Sequence, residues 1–134
     1  MLDNRCLLLS GNKNIEYKTY PFFYKINCDF VYDLSKLLLK DINAKKFPEI
    51  IKFAFWSRES NLKKLFKDYK LDNFRFGRGI CLHILPSNTS INFAYSLVFG
   101  LMSGNSNILR IPNIDNLVKI IVRKINLLLK KKKI

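Results

Sequence analysis

The sequence predicts an α/β fold in which a strand–helix–strand–helix unit follows a mixed strand/helix segment. Three observations carry that expectation. The run Ile80-Cys81-Leu82-His83-Ile84-Leu85 is almost entirely apolar, the pattern of a parallel strand covered on both faces. Residues 91–102 are apolar nearly all round, as in a buried helix, and Gly104 supplies a natural stop. Residues 107–111 then read as a second strand, and Asp115 opens a final helix. With a right-handed crossover, this order makes part of a Rossmann-like parallel sheet.

The elements follow in chain order. Residues 6–10 and 15–20 flank Gly11-Asn12, which reads as a turn joining two strands. Phe30, Leu34, Leu37 and Leu38 fall at helical spacing, with Asp29 as a cap. Pro48-Glu49 opens another helix, because proline fits a first turn and an acid complements the helix dipole there. Ile51, Phe55, Leu62, Leu65, Phe66 and Tyr69 mark its apolar face, and Lys63, Lys64, Lys67 and Lys70 line the other. Such a stripe is a solvated helix face or, on a second reading, a binding surface. Gly77-Arg78-Gly79 breaks the helical region, so the chain divides into 1–76 and 77–134. Pro86-Ser87-Asn88-Thr89-Ser90 forms a loop whose small polar residues suit helix capping. Pro112-Asn113 ends the second strand, and Leu117, Ile120, Ile121, Ile125 and Leu128 give the last helix its core face. Two parallel strands are too few for a complete sheet of this type, so the chain reads as a piece of a larger fold. Positions 130–133 are four consecutive lysines before Ile134.

Composition narrows the classes. A chain of 134 residues with 49% hydrophobic and 25% charged residues is one globular domain and excludes a disordered tail. Its 24 basic and 10 acidic residues leave a net charge of +14, from 18 Lys and only 6 Arg. That excess fits a polyanion partner or, more simply, a whole-chain bias toward AT-rich codons. The scarcity of arginine, the usual bidentate base reader, argues against sequence-specific nucleic-acid recognition. Cys6, Cys28 and Cys81 are widely spaced without a CxxC, and His83 is the sole histidine, so no metal site is expected. No apolar run reaches the ~18 residues needed to span a bilayer. The N-terminal run is too short for a signal peptide. A reduced, cytoplasmic protein is the expectation.

The sharpest stretch runs from Gly77-Arg78-Gly79 through His83-Ile84-Leu85-Pro86-Ser87-Asn88 to Gly104-Asn105-Ser106-Asn107-Ile108-Leu109-Arg110. It resembles the LuxC-type acyl-CoA reductases, a bioluminescence-related branch of the aldehyde dehydrogenase superfamily. The match is a strand ending His-Ile-x-Pro-x-Asn, an apolar helix, then Gly-Asn-x-Asn-Ile-x-Arg. Phe55-Trp56-Ser57-Arg58 is similar to an upstream helix of that family. The resemblance implies an aldehyde dehydrogenase-like fold and NADPH-dependent reduction of a fatty acyl-CoA or acyl-protein thioester to a fatty aldehyde. It places Asn88 as the donor that stabilises the developing oxyanion. It places Ile84, Leu85, Pro86 and Ser87 along the nicotinamide and Arg110 at the adenosine ribose of the cofactor, where an arginine would favour a 2′-phosphate. Read from residues alone, Asn88 is also a candidate helix cap and Arg110 a plain surface residue. Cys81 and His83 share one strand face, so a Cys–His pair is conceivable, although the motif treats both as structural. Members of the family use a downstream cysteine nucleophile. None of the three cysteines here stands in that context. The expectation is therefore an N-terminal part, inactive alone, with a separately encoded C-terminal portion or a frameshift as the explanation. The alternative is a small basic module that binds an anionic surface or nucleic acid.

Overall fold

The computed structural model describes residues 6–69 and 74–132. Lys70, Lys133 and Ile134, which the sequence reading singled out, lie outside these residues. The architecture is α/β, with five α-helices and a parallel pair of strands.

The first helix, α1 (Lys25–Lys40), starts four residues before the expected cap. Asp29 lies inside it, where its carboxylate pairs with Lys25 one turn earlier at 2.7 Å. Phe23, at φ 53°, turns the chain into the helix, and its N–H donates to the Met102 carbonyl at 2.8 Å. Helix α2 (Pro48–Trp56) begins with the proline and Glu49 as expected. It does not continue to residue 69. Ser57 closes it by an N–H bond to Phe53 O (2.9 Å), and the Asn61 amide takes Trp56 O at 2.6 Å. Arg58 is extended, and α3 (Glu59–Asp68) sets off afresh. The break separates the two apolar faces. Helix α2 buries Ile50, Phe53 and Ala54, and α3 buries Leu62, whereas Phe55, Phe66 and Tyr69 stay exposed.

Strands β1 (Ile80–Ile84) and β2 (Ser106–Arg110) pair in parallel, Ile80 opposite Ser106 and Ile84 opposite Arg110. Helix α4 (Asn92–Met102) links them, and Gly104, at φ 76°, follows its end as expected. Helix α5 (Asn116–Lys132) buries Leu117, Val118, Ile120, Ile121, Ile125 and Leu128. Asp115 caps it by accepting a bond from Val118 N at 2.9 Å.

Two further expectations are corrected. Residues 6–10 and 15–20 are not strands. They form no ladder with each other, and several of their backbone groups bond singly to the C-terminal half. Asn126 Nδ2 donates to Leu9 O (3.0 Å), Ser106 Oγ to Glu16 O (3.0 Å), and Tyr20 N to Gly104 O (2.9 Å). The turn at Gly11-Asn12 does form, with Gly11 at φ 86° and Asn14 N bonded to Asn12 Oδ1. Second, β1 is covered on one face only. Cys81 and His83 face α4, and Ile80, Leu82 and Ile84 are exposed. The physical reason is that α5 packs on α1, and α1 also packs on α2 and α4. The helices therefore gather on one side of the sheet. A single buried cluster, including Val31, Leu34, Phe53, Val98 and Ile121, draws on both sides of the 76/77 boundary.

The candidate site at the carboxyl ends of the two strands

Parallel strands leave their carboxyl ends free of the crossover helix, and loops there hold most ligand contacts in open α/β sheets. Here β1 leads through Leu85, Pro86, Ser87 and Asn88 into α4, and β2 leads through Ile111, Pro112 and Asn113 into α5. The two loops meet. Asn113 Nδ2 donates to Ser87 O at 3.2 Å, and the Ser90 hydroxyl donates to Asp115 Oδ2. A shallow notch lies between them, lined by Leu85, Pro86, Ser87 and Phe93 from one side and by Ile111 and Pro112 from the other.

The predicted site residues divide into three groups. Leu85, Pro86 and Ser87 come together in the notch wall. Ile84 and Arg110 are ladder partners with exposed side chains on the uncovered sheet face, just outside the notch. Asn88 is exposed in the loop between β1 and α4. It does not cap α4, whose N-terminal boundary residue is Ile91 with no side-chain cap bond. Its Oδ1 accepts from Thr89 Oγ1 at 3.5 Å, and its amide N–H groups have no partner among the described residues. Arg110 likewise has no ion-pair partner among them.

The other half of the motif lies at the opposite ends of the strands and is occupied with packing. Gly77 and Gly104 cross so closely that a Cβ on Gly77 would meet the Gly104 carbonyl, and one on Gly104 would meet Tyr20 O. Asn105 Oδ1 accepts from the backbone N–H of Arg78 (2.6 Å) and Gly79 (3.2 Å). Asn107 Oδ1 lies 2.9 Å from His83 Nε2, and its amide donates to Asn105 O at 2.8 Å. An Asn oxygen only accepts, so Nε2 carries the proton in this pair. His83 thus turns to Asn107, and no hydrogen bond joins it to Cys81 among the described residues. Phe55-Trp56-Ser57-Arg58 forms the break between α2 and α3. There Trp56 packs against Tyr95 and Phe99 of α4, and Arg58 sits 5.4 Å over the Phe55 ring.

Asp115, Ser90 and Asn113 are additions to the expected site. Asp115 was legible as a cap, but its bond to Ser90 spans 25 residues and no local pattern announces it. Elsewhere, the Cys28 thiol is buried and its pKa is raised by desolvation, while Cys6 is exposed.

Comparison with protein-family models, curated proteins and solved structures yields no match.

Proposed function

We propose that the chain forms the first part of an NADPH-dependent acyl-CoA reductase of LuxC type. The observation that carries this reading is the exposed Pro86-Ser87-Asn88 loop at the carboxyl edge of a parallel pair, with the Asn88 amide unengaged. Arg110, on the neighbouring strand, has no ion-pair partner among the described residues. Among those residues, neither side chain is engaged in a bond that would account for it by folding.

The fit to a dinucleotide is partial. Arg110 is free to hold a phosphate of the adenosine ribose, and Leu85 and Pro86 offer an apolar wall, but the notch is too shallow to enclose a nicotinamide. When bound, the cofactor would supply the hydride that reduces the acyl carbon. Asn88 would donate a hydrogen bond to the acyl oxygen as negative charge develops on it, a contact stronger in the transition state than before it. The cysteine that accepts the acyl group would come from another segment, since Cys28 is buried, Cys81 lies within β1, and Cys6, although exposed, does not stand in the context of the family's nucleophile.

The test is to read the transcript beyond codon 134 and assay the whole encoded product with a long-chain acyl-CoA. The expected result is NADPH consumption that stops when a cysteine outside these 134 residues is alkylated. A product that consumes no NADPH with acyl-CoA, alone or with any co-transcribed polypeptide, overturns the reading.

A further inference from the structure

Residues 74–76 are all exposed, and from Gly77 to Ile84 exposure alternates. Gly77, Gly79, Cys81 and His83 are covered to some degree, while Arg78, Ile80, Leu82 and Ile84 are exposed. Leu82 and Ile84 are 59% and 71% exposed, and Ile108, opposite Leu82 on β2, is 38% exposed. Phe74 and Phe76 stack at 5.9 Å between ring centroids just before the strand. Ile80, Leu82, Ile84 and Ile108 form a cluster of exposed apolar side chains, not the scatter of single exposed apolar residues normal on a protein. Parallel strands are stable when helices cover both faces, and α4 covers only one here.

Charge decides what fits. Arg78 lies just before Ile80, and Arg110 stands at the far end of the cluster beside Ile84. Neither has an ion-pair partner among the described residues. A second copy of this chain would bring another +14 of charge to the same surface. A helix with an apolar stripe flanked by carboxylates matches both features. It would seat its stripe on Leu82, Ile84 and Ile108 and pair its acids with the two arginines. We propose that the uncovered sheet face is the docking site for an acidic amphipathic helix of a partner polypeptide. Ile84 and Arg110 are shared with the reductase reading, so the variants that test the docking are placed at Leu82 and Arg78, which that reading does not use.

The test uses the whole chain and a labelled synthetic helix of about 18 residues, enough to cross the strands and reach Arg78. The peptide carries leucines at i, i+3, i+4 and i+7 and glutamates on both flanks. Fluorescence anisotropy should show saturable binding that a scrambled peptide of the same composition lacks. Leu82→Asp, at an exposed position that leaves the fold intact by circular dichroism, should weaken binding at least about tenfold. Arg78→Glu should weaken it several-fold at low salt, with the difference shrinking at high salt. Arg110 is left unchanged, so failure here and failure of the cofactor reading stay distinguishable. Equal binding of the scrambled peptide, or indifference to Leu82→Asp, overturns the proposal. So does self-association by sedimentation that Leu82→Asp abolishes, or Leu82-dependent binding to phosphatidylglycerol vesicles without peptide binding.

Discussion

Gly100 is the position where the packing account of the motif meets its hardest test. It lies inside α4, where replacing glycine by alanine ordinarily stabilises a helix by about 1 kcal/mol. In this chain a Cβ at Gly100 would land on Asn107 Oδ1 and within 3.0 Å of His83 Nε2. Asn107 cannot step aside freely, because it bonds His83 at 2.9 Å and the Asn105 carbonyl at 2.8 Å. Moving it loses two hydrogen bonds of about 1 kcal/mol each and leaves part-buried polar groups unsatisfied for about 1 to 2 kcal/mol more. Against the helix gain, Gly100→Ala should therefore destabilise the protein by roughly 2 kcal/mol. For a chain of this size that is a fall of about 8 °C in Tm. Urea unfolding followed by far-UV circular dichroism should show a lower midpoint with an unchanged slope. Asn107→Ala forfeits the same two hydrogen bonds, so Gly100→Ala combined with Asn107→Ala should cost clearly less than the sum of the two single changes. A Gly100→Ala protein as stable as the parent, or purely additive effects in the double variant, would refute the contact.

Four other outcomes follow from the same structure. Asn88→Ala should leave the melting temperature nearly unchanged, within about 0.5 kcal/mol, because the side chain caps nothing. In the proposed full-length reductase it should lower kcat by ~100-fold or more, and an unchanged kcat rejects the oxyanion role. The Asp41 carboxyl is held below its ordinary pKa by Lys124 at 2.6 Å and by the N–H groups of Ala44 and Asn43. Its stabilisation is thus fully present above the unfolded pKa and lost as pH falls through the lower folded value. Asp41→Asn should flatten the acid limb of stability against pH, and an unaltered limb counts against it. Iodoacetamide should modify exposed Cys6 first, with buried Cys28 reacting only as the protein unfolds, as peptide mass spectrometry will show. Binding of labelled DNA should be weak, without sequence preference and steeply reduced by salt, whereas tight sequence-selective binding at physiological salt would favour the basic-module alternative.

Helix positions were legible where the apolar period was long and a cap stood at the right end. Asp115 and the five apolar positions of α5 met both conditions, and so did Pro48 at the start of α2. The break at Ser57-Arg58 was not legible, since Ser57 acts through burial and a local carbonyl bond that a periodic pattern passes over. The paired strands expected at 6–10 and 15–20 failed for a different reason. A turn signal at Gly11-Asn12 marks a reversal but not what the flanking chain pairs with, and here the partners are single groups from Gly77 onward. Continuous apolarity in β1 likewise suggested two covered faces, because a sequence shows what a strand can bury and not what arrives to bury it. The lysine stripe on α3 is partly neutralised. Lys63 pairs with Glu59 at 2.6 Å, which fits a solvated helix face better than a dedicated polyanion surface.

The motif itself separates into two kinds of residue, and the separation bears on where chemistry can reside. Gly77, Gly104, Asn105 and Asn107 all sit at one end of the strands, and each is accounted for by a close backbone approach or a satisfied hydrogen bond. Any tight strand–helix–strand crossing of this geometry would favour such residues, so similarity over that half speaks for shared packing and not for shared activity. Asn88 and Arg110 lie toward the other end and carry no such load. Stability measurements should divide the motif along the same line: Asn107→Ala costs folding free energy, while Asn88→Ala and Arg110→Ala leave it almost unaltered. If Asn88 and Arg110 prove as costly to fold without as Asn107, their presence is explained by structure. The reductase reading then loses its main support in this chain.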